Sequence, residues 1–175
     1  IFISNNPIPL KIYVLTCFSK LNENDDEYYL GIGTAYAGLK YYEKALIYCE
    51  KSIKINPNNN LAYSIIGIIY LELNSYEKSI EYFNKASELD NKNDSYYANL
   101  GNCYLRLNQN QEALEVYNRA IEINPNNDEY YTNIGNIYLE FKEHTKALDY
   151  FNKAIEINPN NDLNYSYLGK YYMNL

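Results

Sequence analysis

The chain has 175 residues, 47% of them hydrophobic and 21% charged, which is too apolar for a disordered segment and enough for one domain or one short repeat array. Fifteen Lys and Arg against 22 Asp and Glu give a formal charge of −7, a balance that argues against nucleic acid and against an anionic membrane surface. No stretch approaches the roughly 18 apolar residues that a membrane-spanning helix needs.

Periodicity is the strongest signal. Gly33, Gly67, Gly101, Gly135 and Gly169 follow one another at intervals of 34 residues. The same step links Tyr29, Tyr63, Tyr97, Tyr131 and Tyr165, and again Tyr36, Tyr70, Tyr104, Tyr138 and Tyr172. Pro57, Pro125 and Pro159 keep the spacing, with Asn91 where a fourth Pro would stand. Coding bias explains an excess of Tyr and Asn, but it does not hold columns in register.

In chain order, residues 1–25 fit the period least. Pro7 and Pro9 precede a stretch from about Leu10 to Leu21 that reads as a divergent helix, capping the array or belonging to an upstream repeat, the alternative being a disordered or swapped arm. Leu15 and Leu21 fall on inward positions, but Phe18 and Lys11 stand where small residues belong. The sequence opens on Ile1 rather than Met, which leaves room for a targeting segment upstream.

The periods 26–59, 60–93, 94–127 and 128–161 each read as two helices, and 162–175 as the first helix of a fifth. In the third period the first helix runs from about Tyr96 to Leu107, with Tyr97, Leu100, Gly101 and Tyr104 on one face. The second runs from about Gln111 to Ile123, with Ala113, Tyr117, Ala120 and Ile121 inward, until Asn-Pro-Asn-Asn stops it. Asp26, Asn60, Asp94, Asp128 and Asp162 are expected as N-caps of the first helices. A mid-helix Gly destabilises by about 1 kcal/mol relative to Ala, so the Gly column implies close helix approach, with Ala45, Ser79, Ala113 and Ala147 supplying the facing small surface. In the last segment Tyr165, Leu168, Tyr172 and Leu175 make an apolar stripe with no second helix after it. It is read as a cap, as a point where the natural chain continues, or as a self-association face.

These residues resemble tetratricopeptide repeats. The pattern is Tyr97-x2-Leu100-Gly101-x2-Tyr104, then Ala113-x3-Tyr117, Ala120 and Pro125, and it recurs as Tyr131-x2-Ile134-Gly135-x2-Tyr138, Ala147-x3-Phe151, Ala154 and Pro159. Tyr replaces the family's usual Trp, and Cys49 sits where Phe or Tyr is expected. The resemblance implies an all-α, α-α superhelix, a solenoid of stacked antiparallel helix pairs whose first helices line a concave groove.

Chemistry-bearing residues are few. His144 is the single histidine, in the slot of Tyr42 and Tyr76, and reads as a semi-buried ring. Cys17, Cys49 and Cys103 lack CxxC spacing and suggest a reducing, cytoplasmic setting. Cys49 and Cys103 read as core and Cys17 as a candidate exposed thiol. Asn93-Asp94-Ser95 and Asn164-Tyr165-Ser166 match glycosylation acceptors, as chance allows in so Asn-rich a chain. No catalytic residues, metal or cofactor are expected.

The face that the resemblance assigns to the groove is apolar in its front half, with Leu30, Ile65, Ile68 and Leu71. Its back half carries four amides, Asn99, Asn102, Asn133 and Asn136. An amide offers donor and acceptor together, so such a ladder suits an extended peptide backbone, similar to the Asn-lined groove of O-GlcNAc transferase repeats. The alternative is that these Asn reflect bias and the family's common Asn-Leu-Gly-Asn string. Arg106 and Lys170 are the basic residues there, against Glu27, Glu72, Glu129 and Glu140, which favours a neutral or mildly basic ligand. The family's carboxylate clamp for chaperone tails is not expected, because its basic slots fall on Ala98, Leu163 and Tyr167. The reading is therefore a non-catalytic scaffold for a protein or peptide partner, with no nucleic acid or membrane. The alternatives are a substrate-recruiting part of a larger enzyme and a module that self-associates through its C-terminal helix.

Overall fold

A computed structural model describes residues 24–173. The predicted helix at about Leu10 to Leu21, Cys17 and Leu175 lie outside them. The described residues divide into two compact units, parted between Asn91 and Lys92. The first contains α1 (Asp26–Gly38), α2 (Tyr42–Ile55), α3 (Asn60–Glu72) and α4 (Tyr76–Leu89). The second contains α5 (Asp94–Arg106), α6 (Asn110–Ile123), α7 (Asp128–Glu140), α8 (His144–Ile157) and α9 (Asp162–Met173). Among the described residues every element is a helix, and helices of one period pack as antiparallel pairs.

Close approach explains the Gly column. A Cβ at Gly101 would lie 2.6 Å from the Tyr117 ring, one at Gly135 2.7 Å from Phe151, and one at Gly67 3.1 Å from Phe83. At Gly33 the neighbour is the Cys49 sulfur at 2.5 Å. Cys49 and Cys103 are buried, and burial, with Glu50 nearby, pushes the Cys49 thiol up to about 12.

The two Tyr columns are shallower than the sequence suggests. Most of their rings are half-buried, lying on the flank between paired helices. Tyr48 stacks between Tyr29 and Tyr36, and Tyr150 lies between Tyr131 and Tyr138. Phenol hydroxyls favour this half-wet position, and Lys51 and Lys44 lie over the outer ring faces. The deep core is built instead from Ile66, Phe83, Leu100, Tyr117, Ile134 and Phe151 with the small residues facing them.

Each first helix except α9 ends in one device. Lys40, Asn74, Asn108 and Lys142 take φ of 62, 56, 57 and 60°. The following N–H returns to the carbonyl of Tyr36, Tyr70, Tyr104 or Tyr138 at 2.8–3.0 Å, a Schellman closure. A left-handed backbone suits Asn but strains Lys. Lys142→Gly is expected to raise the unfolding free energy by about 0.5–1 kcal/mol, read from the urea midpoint.

The expected N-caps are displaced by one residue. Asp25, Asn59, Asn93 and Asn127 accept the first-turn N–H bonds of α1, α3, α5 and α7, and Asn161 accepts that of Leu163 in α9. Asp26, Asp94 and Asp128 sit one residue inside, as the first residues of α1, α5 and α7. They tie the end of the period to its start instead. Asp26 accepts from Asn56 at 2.9 Å and Asn59 at 2.8 Å. Asp94 accepts from Asn124 at 2.8 Å and the Tyr130 hydroxyl at 2.7 Å. Asp128 accepts from Asn158, Asn161 and Asn164 at 3.4, 2.7 and 2.8 Å. Asn164, 2% exposed, is saturated by these contacts and one from Thr132, so the Asn164-Tyr165-Ser166 sequence is no glycosylation site in the fold.

In α9, Gly169 has nothing within 4 Å of its Cβ position, and Tyr165, Tyr172 and Met173 are exposed.

Candidate peptide-binding faces

In the first unit the apolar residues Leu30 and Ile65 are half-buried and Ile68 is 41% exposed. Leu61, one turn before Ile65 on α3, is exposed as well. Ile66 and Ile69, on the same helix, are fully buried, so this helix is apolar around most of its circumference. The Thr34 hydroxyl is spent on its own helix, donating to the Leu30 carbonyl at 2.8 Å.

In the second unit the four predicted amides divide into two kinds. Asn102 and Asn133, on α5 and α7, are joined through one atom. The Tyr117 hydroxyl donates to Asn102 Oδ1 at 2.6 Å and accepts from Asn133 Nδ2 at 3.1 Å. Asn99 and Asn136 stand outside this link. Asn99 Nδ2 donates to the Ser95 carbonyl one turn back, which leaves its Oδ1 outward. Asn136 lines a cleft of about 420 Å³ with Leu139, Glu140, Lys142, His144, Tyr167 and Lys170. Arg106 is exposed in the last turn of α5.

Between α7 and α9 lies a smaller cavity, of about 210 Å³, whose lining includes Glu129, Thr132, Asn133, Leu163 and Tyr167. Its charged residues are Glu129 and Asp128. Asp128 is occupied by three amides, while Glu129 is exposed and adds to burial in raising the pKa of Tyr117. His144 is half-buried with its ring centroid 6.3 Å from that of Tyr171, an aromatic neighbour.

Sequence reasoning did not find Tyr117 as part of this face. The available signal is the column Cys49, Phe83, Tyr117, Phe151, in which one member carries a hydroxyl, flanked by Asn at 102 and 133.

Among the described residues no helix is long and apolar enough to cross a membrane, and no group of three His, Cys, Asp or Glu side chains could hold a metal ion.

Comparison with known proteins gives a consistent picture. Models described as tetratricopeptide repeat match residues 26–59 and 129–161, and one described as TPR repeat matches 67–108 and 101–141. No curated protein matches the sequence significantly. Among solved structures, a crystal structure of MamA superposes with a TM-score of 0.79 at 24% identity, over 85% of this chain and 86% of that one. MamA 41-end from Desulfovibrio magneticus RS-1 gives 0.77 at 22% identity, over 86% and 85%. YrrB, described as a TPR protein with an unusual peptide-binding site, gives 0.75 at 22% identity, over 89% and 80%. At these identities the likeness is one of fold, the all-α α-α superhelix class.

Proposed function

Because the chain belongs to the tetratricopeptide repeat family, we propose that it is a non-catalytic interaction scaffold that holds an extended peptide segment of a protein partner on its first-helix faces. The observation that carries this reading is the state of the four amides in the second unit. After the internal hydrogen bonds are made, Asn99 and Asn133 still offer a carbonyl oxygen, Asn102 an NH2, and Asn136 its whole amide. A half-buried amide with an idle donor or acceptor suits a main chain, which presents N–H and C=O in alternation. Leu30, Ile65 and Ile68 give the first unit an apolar contact of its own, and Arg106 is a polar contact at the edge of the second.

The cavity beside Asn133 supports a neutral to mildly basic ligand, since Glu129 is the acidic group there without amide partners. A carboxylate-clamp role finds no support, since Ala98, Leu163 and Tyr167 occupy the places where cations would be required. Among the described residues, several groups that could act as nucleophile or acid have structural duties. Cys49 is buried under Gly33, and Asp94 and Asp128 are engaged by Asn and Tyr donors. The fit of a larger enzyme's recruiting segment is the same in chemistry, because it too would hold a substrate chain.

Panning a random decapeptide phage library against the protein, followed by fluorescence anisotropy with the selected peptide, tests the reading. The double substitution Asn99→Ala and Asn133→Ala should weaken that peptide about tenfold or more, with the unfolding midpoint little changed. A library that yields no binder, or an affinity that the double substitution leaves intact, would remove the amide-face reading.

A further inference from the structure

Tyr117 combines three properties that no other member of its column has together. Its ring is fully buried, it is wedged against Gly101 so closely that a Cβ there would overlap it, and its hydroxyl emerges between amides of two successive first helices. Cys49, Phe83 and Phe151, at the same place in the other periods, have no such group. The Gly101 contact prevents the ring from swinging, so the hydroxyl is a fixed point. Burial, reinforced by Glu129, raises its pKa, so the proton it gives to Asn102 is retained at any ordinary pH.

We propose that the Tyr117 hydroxyl is the positioning group of a main-chain recognition site, orienting Asn102 and Asn133 as a preset donor and acceptor for one stretch of extended peptide backbone. With the Asn102 oxygen and the Asn133 nitrogen both engaged on Tyr117, each amide turns its opposite group outward. The Asn102 NH2 faces a ligand carbonyl, and the Asn133 oxygen faces a ligand N–H. In an extended strand the N–H and C=O of one residue point to the same side, so two amides bridged by a single oxygen match one such edge. Neither amide must be immobilised on binding, which removes a rotamer cost that solvated Asn side chains would carry. Phe at this position would keep the packing and release both amides. The backbone polarity of the ligand is thereby fixed at this point, while its side chains are left to the neighbouring cavities.

This inference rests on the peptide-face reading, and the experiment separates the two. The probe is the decapeptide selected by panning, together with a set in which each amide in turn is replaced by an ester, which deletes one N–H. Wild type should show one ester position that weakens binding about tenfold, marking the N–H held by Asn133. Tyr117→Phe should bind the parent peptide about tenfold more weakly and treat that ester and the parent nearly alike, since the acceptor is no longer held. Rescue of neither property is expected from added salt, because no charge is involved. If Asn133→Ala loses affinity while Tyr117→Phe retains both the affinity and the ester pattern, the positioning role is overturned and the face remains. If Asn133→Ala also binds normally, the face itself is wrong. Should Tyr117→Phe fail to fold, side-chain amide exchange in the wild-type protein decides the matter. Asn133 NH2 protons protected relative to those of Asn136 support the proposal, and equal exchange overturns it.

Discussion

Gly101→Ala destabilises the second unit by about 2 kcal/mol, while Gly169→Ala, at the same place in the period, stabilises it by up to about 1 kcal/mol. Both substitutions gain the same helix propensity. They differ in what the added methyl meets. At Gly101 it falls 2.6 Å from the Tyr117 ring, and at Gly169 nothing lies within 4 Å. The ring cannot move aside freely, because its hydroxyl is anchored to Asn102 and Asn133. Overpacking of this kind typically costs about 1–3 kcal/mol, more than propensity returns. Gly67, whose methyl would stand 3.1 Å from Phe83, should fall between the two. Urea unfolding of the three variants gives the comparison, and equal signs at positions 101 and 169 would refute the packing account of the Gly column.

The Asp128 joint gives the second large effect. Asp128→Ala removes the acceptor of three amide donors, one of which, Asn164, is too buried to find water. A loss of about 2 kcal/mol is expected, since stranding a buried donor adds to the loss of the bonds themselves. Asp162→Ala, at the same place in α9, is the control and should be near neutral, because Asp162 is exposed and no second helix in the described residues closes over it. The joint also predicts acid sensitivity. Burial tends to raise the Asp128 pKa, but hydrogen bonds from Asn161, Asn164 and Asn158 outweigh it and hold the carboxyl below its ordinary 3.8. Asp94 behaves alike, burial being outweighed by donors from Tyr130 and Asn124. A group with a depressed folded pKa contributes stability that is complete above the unfolded value and disappears as pH falls through the folded one. Stability should therefore be flat from neutrality down to about pH 5 and fall steeply below about pH 4, with a shallower fall in Asp128→Ala. Identical acid limbs in the two proteins would exclude the joint as a contributor.

Residue spacing alone makes much of this architecture legible. The Gly column and the facing Ala positions locate every described helix pair, because close packing leaves a period-long trace in residue size. The columns of Tyr are visible too, but their depth is not. Hydrophobic spacing places Tyr29 and Tyr36 on an inward face without telling a core ring from a flank ring, a distinction set by how Tyr48 inserts between them. The N-caps are displaced by one residue because two capping residues, Asp or Asn, stand adjacent at the helix start, as at Asp25-Asp26, Asn93-Asp94 and Asn127-Asp128. Which of two neighbouring polar residues caps depends on backbone dihedrals at the helix entry. The joint does leave a trace in the spacing. Asn56 and Asp26, Asn124 and Asp94, and Asn158 and Asp128 are each 30 residues apart, and in the second period the types are exchanged, Asp90 with Asn60. Of the candidate site, the four amides are legible as residues. Their orientations are not, because these hang on the Tyr117 hydroxyl, and a pattern that scores Tyr and Phe alike discards the atom that matters.

The closing joints have a bearing on how such a gene can change. Each ties residues 30–36 apart, so within a unit every link ends inside its own period or at the start of the next. Duplication or deletion of one whole period by unequal crossing-over leaves both new neighbours with complementary ends, whereas a cut at any other length strands an Asp from its Asn. A change in length by whole steps of the same size thus keeps each Asp with its Asn.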